Sequence, residues 1–283
     1  IMKLFGVEEL SRSDESPTRH LRRNAEMIIA LKIPHDLWIV LDDGTGGDEA
    51  LRRHGVASDR IRFLPNGVTL AWADAPADGN AFRERYNLPA GTPVILWLAR
   101  QVAWKRGEDA IRAFARARAV SGRPMVLVMG GDGPERGRLE ALARLLGVNE
   151  HVRFAGAIAH DAVPDAMAAA ALFLATAERS NKSIATCEAM LCGVPVVAYD
   201  VGGTNHVVRE GETGRLVAFD DVDGLAEAMA GLIDDGAARQ RLADGARAFA
   251  RARFTDWERR VEMERLLIEQ AVRAGQDGAA NPE

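Results

Sequence analysis

From Val94 onward, short apolar runs alternate with amphipathic stretches, which is the pattern of a parallel sheet covered by helices. Val94 to Leu98 reads as a strand and is followed by a helix around Asp109 to Val120. Met125 to Met129 is the next strand and runs into Gly130-Gly131-Asp132-Gly133-Pro134. Leu139, Leu142, Leu145 and Leu146 then mark one face of a helix. Four further strands are expected at Val152 to Phe154, Leu172 to Leu174, Val196 to Tyr199 and Leu216 to Ala218. About six βα units in roughly 125 residues is the size of one doubly wound domain.

Before Val94 the pattern is shorter. Trp38 to Leu41 and Ile61 to Leu64 read as strands with a short helix, Glu49 to His54, between them, and Pro65-Asn66-Gly67 is a turn. These fit the last βα unit of a different domain. Trp257 to Ile268 reads as a helix, and the polar tail after Val272 as disordered.

Composition narrows the class. The chain of 283 residues is 47% hydrophobic and 27% charged with a formal charge of −5, which argues against a nucleic-acid binder. No apolar run approaches the roughly eighteen residues of a membrane span. The two cysteines, Cys187 and Cys192, are too few for a metal site or a disulfide framework and read as buried thiols of a cytoplasmic protein. A start on Ile1 suggests a truncated chain.

Four segments have the residue types for ligand chemistry, and each also has a plain structural reading. Arg100 and Lys105 follow a strand end, where two cations could grip a diphosphate; by themselves they equally fit solvated residues opening a helix. Gly130-Gly131-Asp132-Gly133-Pro134 lacks the third glycine of a dinucleotide fingerprint and the Lys-Ser/Thr of a P-loop, so a tight structural turn is the expectation. In the third segment, Ser180-Asn181-Lys182-Ser183 leads into a helix whose free amides would suit a phosphate oxygen. Glu188, further along it, could accept two hydrogen bonds from a ribose diol or be an ordinary helix glutamate. The fourth, Gly202-Gly203-Thr204-Asn205-His206 after a strand, permits close backbone approach or simply turns.

Taken together, these segments resemble the group 1 family of retaining GT-B glycosyltransferases, which use nucleotide-diphosphate sugars. The order and spacing recur over about 160 residues, the length of one such domain. Pro65 to Val68 matches the family's hinge entry, and Ala99-Arg100…Lys105-Arg106-Gly107 its Gly-Arg…Lys-Gly segment. Gly131-Asp132-Gly133-Pro134 and Val152-Arg153-Phe154-Ala155-Gly156 match the turn and strand that follow. Glu188-Ala189-Met190…Gly193-Val194-Pro195-Val196-Val197 reproduces the most distinctive run, and Gly202-Gly203 with Gly211 to Leu216 completes the domain.

The resemblance implies a Rossmann-like doubly wound α/β domain, the C-terminal half of a GT-B fold, with a remnant of the N-terminal domain. The expected division is 1–66 for that remnant and hinge, 67–256 for the nucleotide-sugar-binding domain, and 257–283 for a crossover helix and tail. It implies transfer of a hexose from a UDP- or GDP-sugar to a sugar, lipid-linked or glycoside acceptor. The alternative is a non-catalytic nucleotide-sugar-binding module. Arg100 and Lys105 would neutralise the diphosphate as the catalytic cations, Glu188 would hold the ribose, and amides of Ser183, Ile184 and Ala185 would meet a phosphate. The base would lie near Gly156 to Ile158. Neither metal nor other cofactor is expected, since cations and helix amides stabilise the departing diphosphate.

Two departures stand out. Ser180 occupies the position of a family glutamate that faces the donor sugar, Glu178 is two residues too early to replace it, and Ser180 with Asn181 implies altered sugar contacts. His206 likewise stands where relatives usually have glutamate. Because the family's acceptor domain would be mostly missing, the isolated chain is expected to be inactive. The apolar face of the last helix (Val261, Leu266, Leu267) would then be exposed or pair with the missing domain or a second chain. The full-length enzyme would be cytoplasmic, at most peripheral to the inner face of the membrane.

Overall fold

A computed structural model of the chain describes residues 35–42, 47–179 and 182–280, together with Met2, Lys3, Ile29 and Ile33. It divides into two compact units, Thr69–Phe254, and Ile1–Val68 with Thr255–Glu283.

In the smaller unit, β1 (Met2–Lys3), β2 (Trp38–Leu41) and β3 (Ile61–Leu64) pair in parallel in that order, with α1 (Gly47–Arg53) between β2 and β3. The chain leaves through β4 (Gly67–Val68) and returns through β11 (Thr255–Asp256), which pairs with it in parallel. Gly67 is required there, because a Cβ would lie 2.5 Å from Cδ2 of Trp257.

The larger unit runs α2 (Gly79–Arg85), β5 (Val94–Leu98), α3 (Gly107–Ser121), β6 (Val126–Gly130), α4 (Arg136–Leu145), β7 (Val152–Gly156) and α5 (Val163–Ala169). It continues with β8 (Leu172–Ala175), α6 (Ile184–Leu191), β9 (Val196–Tyr199), β10 (Gly214–Val217), α7 (Val222–Asp234) and α8 (Gly236–Arg253). Its six strands lie in the order β10-β9-β8-β5-β6-β7, all parallel. The strands are near-continuous apolar runs because the central sheet is covered on both faces, and every residue of Val126–Gly130 and Val196–Tyr199 is buried. The amphipathic α3 buries Ala110, Ile111, Ala113, Phe114 and Ala117 against α7 and the sheet. Asp221 and Asp235 cap α7 and α8 by accepting the N–H of Gly224 and Ala238 at 2.8 Å each.

From β5 the chain builds β6 and β7 to one side, then crosses back to place β8, β9 and β10 on the other. The order therefore reverses between β5 and β8, and the loops leaving those two strands diverge to opposite faces. That is where an open parallel sheet forms its ligand crevice.

Several expectations are corrected. Leu145 is 81% exposed. It lies six residues after Leu139, about 240° around a helix, and Ala143 takes the inward place instead. The last strand begins at Gly214, two residues before its apolar run, through the register Gly214↔Val196. The final helix, α9 (Trp257–Ala280), continues to Ala280, into the stretch expected to be disordered, whose last three residues lie outside the described ones. Earlier in that helix, Met263, Leu267, Ile268 and Ala271 pack on Leu37, Ile39 and Leu64. Leu267 is thus covered within the smaller unit, whereas Val261 and Leu266 are exposed.

Candidate functional site

At the point where strand order reverses lies a small cleft lined by the ends of β5 and β8 with Lys105, Ser183, Tyr199 and Thr204. Its floor is apolar. The polar groups arrive on the loops that follow the strands.

Arg100 and Lys105 stand on the loop after β5. Arg100 is exposed and Lys105 half-buried, and among the described residues neither side chain has a hydrogen bond or ion pair to an anion. The Lys105 ammonium instead lies 4.3 Å from the centroid of the Trp104 ring. Its pKa is held below the ordinary lysine value by burial and, secondarily, by the charge of Arg100. Two like charges without a counter-ion raise the local potential, and an arriving anion would relieve it.

The neighbouring cation is employed differently. Arg106 adopts a left-handed backbone (φ 52°), and its Nε donates to Asp109 Oδ2 at 2.7 Å, while a terminal nitrogen pairs with Asp220. Asp109 is buried and also accepts the Tyr199 hydroxyl at 3.1 Å. Burial first, and then the Asp109 charge, raise the Tyr199 pKa. This network ties the start of α3 to β9 and leaves Lys105 as the cation turned to the cleft.

Across the cleft, α6 opens at Ser183 (φ 23°), whose Oγ accepts the N–H of Thr186 at 3.4 Å. The amides of Ile184 and Ala185 lie within the unpaired first turn, where the helix favours negative charge. Glu188 lies one turn further along α6. It is 8% exposed, no described residue hydrogen-bonds its carboxyl, and burial pushes its pKa up to about 7. Such a carboxyl has acceptor capacity available for a ligand. Cys187 is buried, and burial raises its pKa to about 12. Cys192 is only partly buried, unlike the expected pair of buried thiols, because it caps the last turn of α6.

The glycine-rich turn after β6 has a packing role. Gly131 (φ 109°) donates to the Gly156 carbonyl at 2.6 Å, and a Cβ on it would collide with the Ala99 carbonyl. Gln101 N–H donates to the Asp132 carbonyl at 2.8 Å, and Glu135 N–H to the Gln101 carbonyl at 3.0 Å. The loops after β5 and β6 therefore interlock backbone to backbone. Ile158 packs over Gly130, where a Cβ would come within 2.8 Å of its Cδ1.

The structure thus brings Lys105 and Ser183 into one cleft, with Arg100 close enough in charge to act on Lys105. Glu188, Gly156 and Ile158 lie outside its lining. Ser180 and Asn181 fall outside the described residues. His206 is exposed in the turn Thr204–His206. Sequence reading missed Trp104 and Thr176. A threonine closing an apolar strand has no local mark of its role, because both its partners are more than seventy residues away in the chain.

The family model for glycosyl transferases group 1 matches residues 78–249, and the chain belongs to that family. The alpha-D-kanosaminyltransferase of Streptomyces kanamyceticus is 30% identical over 210 residues, which cover 74% of this chain and 54% of that protein. The D-inositol 3-phosphate glycosyltransferase of Acidothermus cellulolyticus is 33% identical over 234 residues, 79% of this chain and 51% of that one. The chain accordingly spans about half the length of the curated relatives it matches. Among solved structures, sucrose-phosphate synthase from Thermosynechococcus elongatus is similar with a TM-score of 0.78 and 27% identity, covering 96% of this chain and 67% of its own. Anabaena Alr3699/HepE, solved in complex with UDP-glucose, has a TM-score of 0.78 at 23% identity, covering 94% and 71%, a likeness of fold. The α/β parallel-sheet architecture is that of GT-B glycosyltransferases.

Proposed function

We propose that this chain carries the donor-binding part of a retaining glycosyltransferase that moves a hexose from a UDP- or GDP-sugar to an acceptor hydroxyl. The observation that carries the reading is the pair Arg100 and Lys105, which no described residue neutralises, with Lys105 lining the same cleft as Ser183, the residue that opens α6. A diphosphate between them would meet two cations and the free amides of Ser183, Ile184 and Ala185. As the glycosidic bond breaks, charge accumulates on that diphosphate, and groups already oriented toward it lower the barrier without a metal. Glu188 would accept from the ribose hydroxyls, the base would lie along Gly156 to Ile158, and Ser180 with Asn181 would face the sugar. Relatives named for transfer to inositol phosphate and for kanosaminyl transfer support a sugar-transferring enzyme, and the complex of Alr3699/HepE with UDP-glucose favours a uridine nucleotide. No described helix is long and apolar enough to cross a membrane.

Titration with UDP, GDP, ADP and their sugar conjugates, alongside uridine and guanosine, tests the proposal. Arg100→Ala and Lys105→Ala should each weaken nucleoside diphosphate binding by about 1.5–3 kcal/mol, the scale of a charge-assisted contact, and leave nucleoside binding unchanged. Equal losses for UDP and uridine would mean that neither side chain reaches the phosphates.

A further inference from the structure

Among the described residues no anion holds Lys105, yet its backbone is fixed from behind. Thr176, the residue directly after β8, is 1% exposed and has two partners. It accepts the indole Nε1–H of Trp97 at 2.9 Å and donates its hydroxyl proton to the Lys105 carbonyl at 3.0 Å. Neither direction is ambiguous, since an indole nitrogen can only donate and a carbonyl can only accept. Two residues further on, the Glu178 N–H donates to the Trp104 carbonyl at 3.0 Å. The turn Ala103–Lys105 is therefore stitched to the strand on the other side of the cleft by consecutive carbonyls. Arg179, on that same strand's loop, lies 5.6 Å from the Trp104 ring centroid, the ring over which the Lys105 ammonium sits.

We infer that Thr176 is a positioning residue for the diphosphate site: with Trp97 behind it, its hydroxyl fixes the backbone of Lys105 so that the ammonium rests on Trp104 facing the cleft. The inference rests on the reading of Lys105 as a diphosphate cation. The hydroxyl's geometry is suited to this work. Trp97 is set in the sheet at β5, so the acceptor lone pair of Thr176 is committed and its proton points one way. An ammonium on a flexible four-carbon stem samples many rotamers. Fixing its carbonyl and placing an aromatic surface beneath the nitrogen removes much of that freedom before a ligand arrives. The same hydroxyl joins the loops on the two sides of the crevice, so the spacing between Lys105 and the start of α6 depends on it.

The full chain is titrated with UDP and uridine as wild type, Thr176→Val, Thr176→Ser, Lys105→Met and Thr176→Val/Lys105→Met. Thr176→Val keeps the volume and removes the hydroxyl. It should weaken UDP about five- to twenty-fold, the scale of a buried hydrogen bond, and leave uridine unchanged, while Thr176→Ser restores UDP affinity. In the Lys105→Met background, Thr176→Val should add nothing further, because a residue acting through Lys105 has no target once the ammonium is gone. Equal loss of uridine, failure of serine to rescue, or an undiminished effect in the Lys105→Met background overturns the inference. If Lys105→Met itself leaves UDP binding untouched, the diphosphate reading has failed instead. A nucleotide-free readout then still decides the inference. Methyl-labelled Lys105, facing Arg100 and sharing the Trp104 ring with Arg179, titrates below an ordinary lysine, and Thr176→Val should raise it. An unmoved titration overturns the inference. Should Thr176→Val not accumulate as folded protein, Trp97→Phe removes the indole donor together with part of a buried ring and should shift both readouts in the same direction.

Discussion

Glu188 combines burial, charge and the absence of a partner among the described residues in one side chain, and the consequences can be measured separately. Its folded pKa of about 7 lies above the ordinary carboxylate value. Below the unfolded value both states hold the proton, and Glu188 makes stability no different from that of a neutral isostere. As pH rises toward 7, the unfolded chain gives up its proton first, so the folded state loses stability across that window and the penalty is complete above it. Glu188→Gln should therefore be near neutral at pH 4.5 and stabilising by on the order of 2 kcal/mol at pH 8, after discounting for partial solvation. Denaturant melts at the two pH values check this, and a pH-independent effect would mean the carboxylate is solvated. A ribose diol donates more strongly to the ionised form than to the protonated one, so wild-type nucleotide affinity should rise from pH 5 and level off above 7. The sequence singled out the glutamate by its run of neighbours, Ala189-Met190…Gly193-Val194-Pro195. Its isolation from every described partner was not, because burial depends on which residues the fold brings around α6.

At the scale of elements, what the sequence could reveal depended on the range of the force responsible. Trp38–Leu41, Val94–Leu98 and Val196–Tyr199 coincide with their apolar runs because burial on the sheet sets both. Gly214 and Arg215 are strand by register with Val196 and Val197, which no local pattern shows. Likewise, the turn at Gly130 to Pro134 could be read as a turn, but its interlock with Ala99 and Gln101 is a tertiary contact. That interlock carries a prediction. Gly131→Ala would place a side chain at φ 109° and against the Ala99 carbonyl, where only backbone could give way. Such strain with loss of close packing is expected to cost about 2–4 kcal/mol, and it should displace Arg100 on the same loop. Thermal melting and UDP titration of Gly131→Ala report the two effects. A variant as stable as wild type would show that the two loops are not locked together.

For the molecule as a whole, the separate cores of the two units make a prediction about how it unfolds. The larger unit gathers its sheet with α3, α4, α7 and α8 around Trp97, Phe114 and Tyr199. The smaller one is built on Leu37, Ile39 and Leu64 under Met263, Leu267 and Ile268 of α9. The chain passes between them only twice, after Val68 and before Thr255. Every residue proposed for the donor site lies between Thr69 and Phe254, so ligand binding should stabilise that unit and leave the other alone. At a hundred times its Kd, UDP adds about 2.7 kcal/mol to whatever binds it in the native state only. Ile39→Ala removes a buried side chain from the smaller core, and cavities of that kind cost about 2–5 kcal/mol. Calorimetry should therefore resolve two transitions: UDP raises one of them, Ile39→Ala lowers the other, and the variant's UDP affinity equals that of wild type. A single transition moved by both perturbations would show that the two cores unfold as one cooperative body.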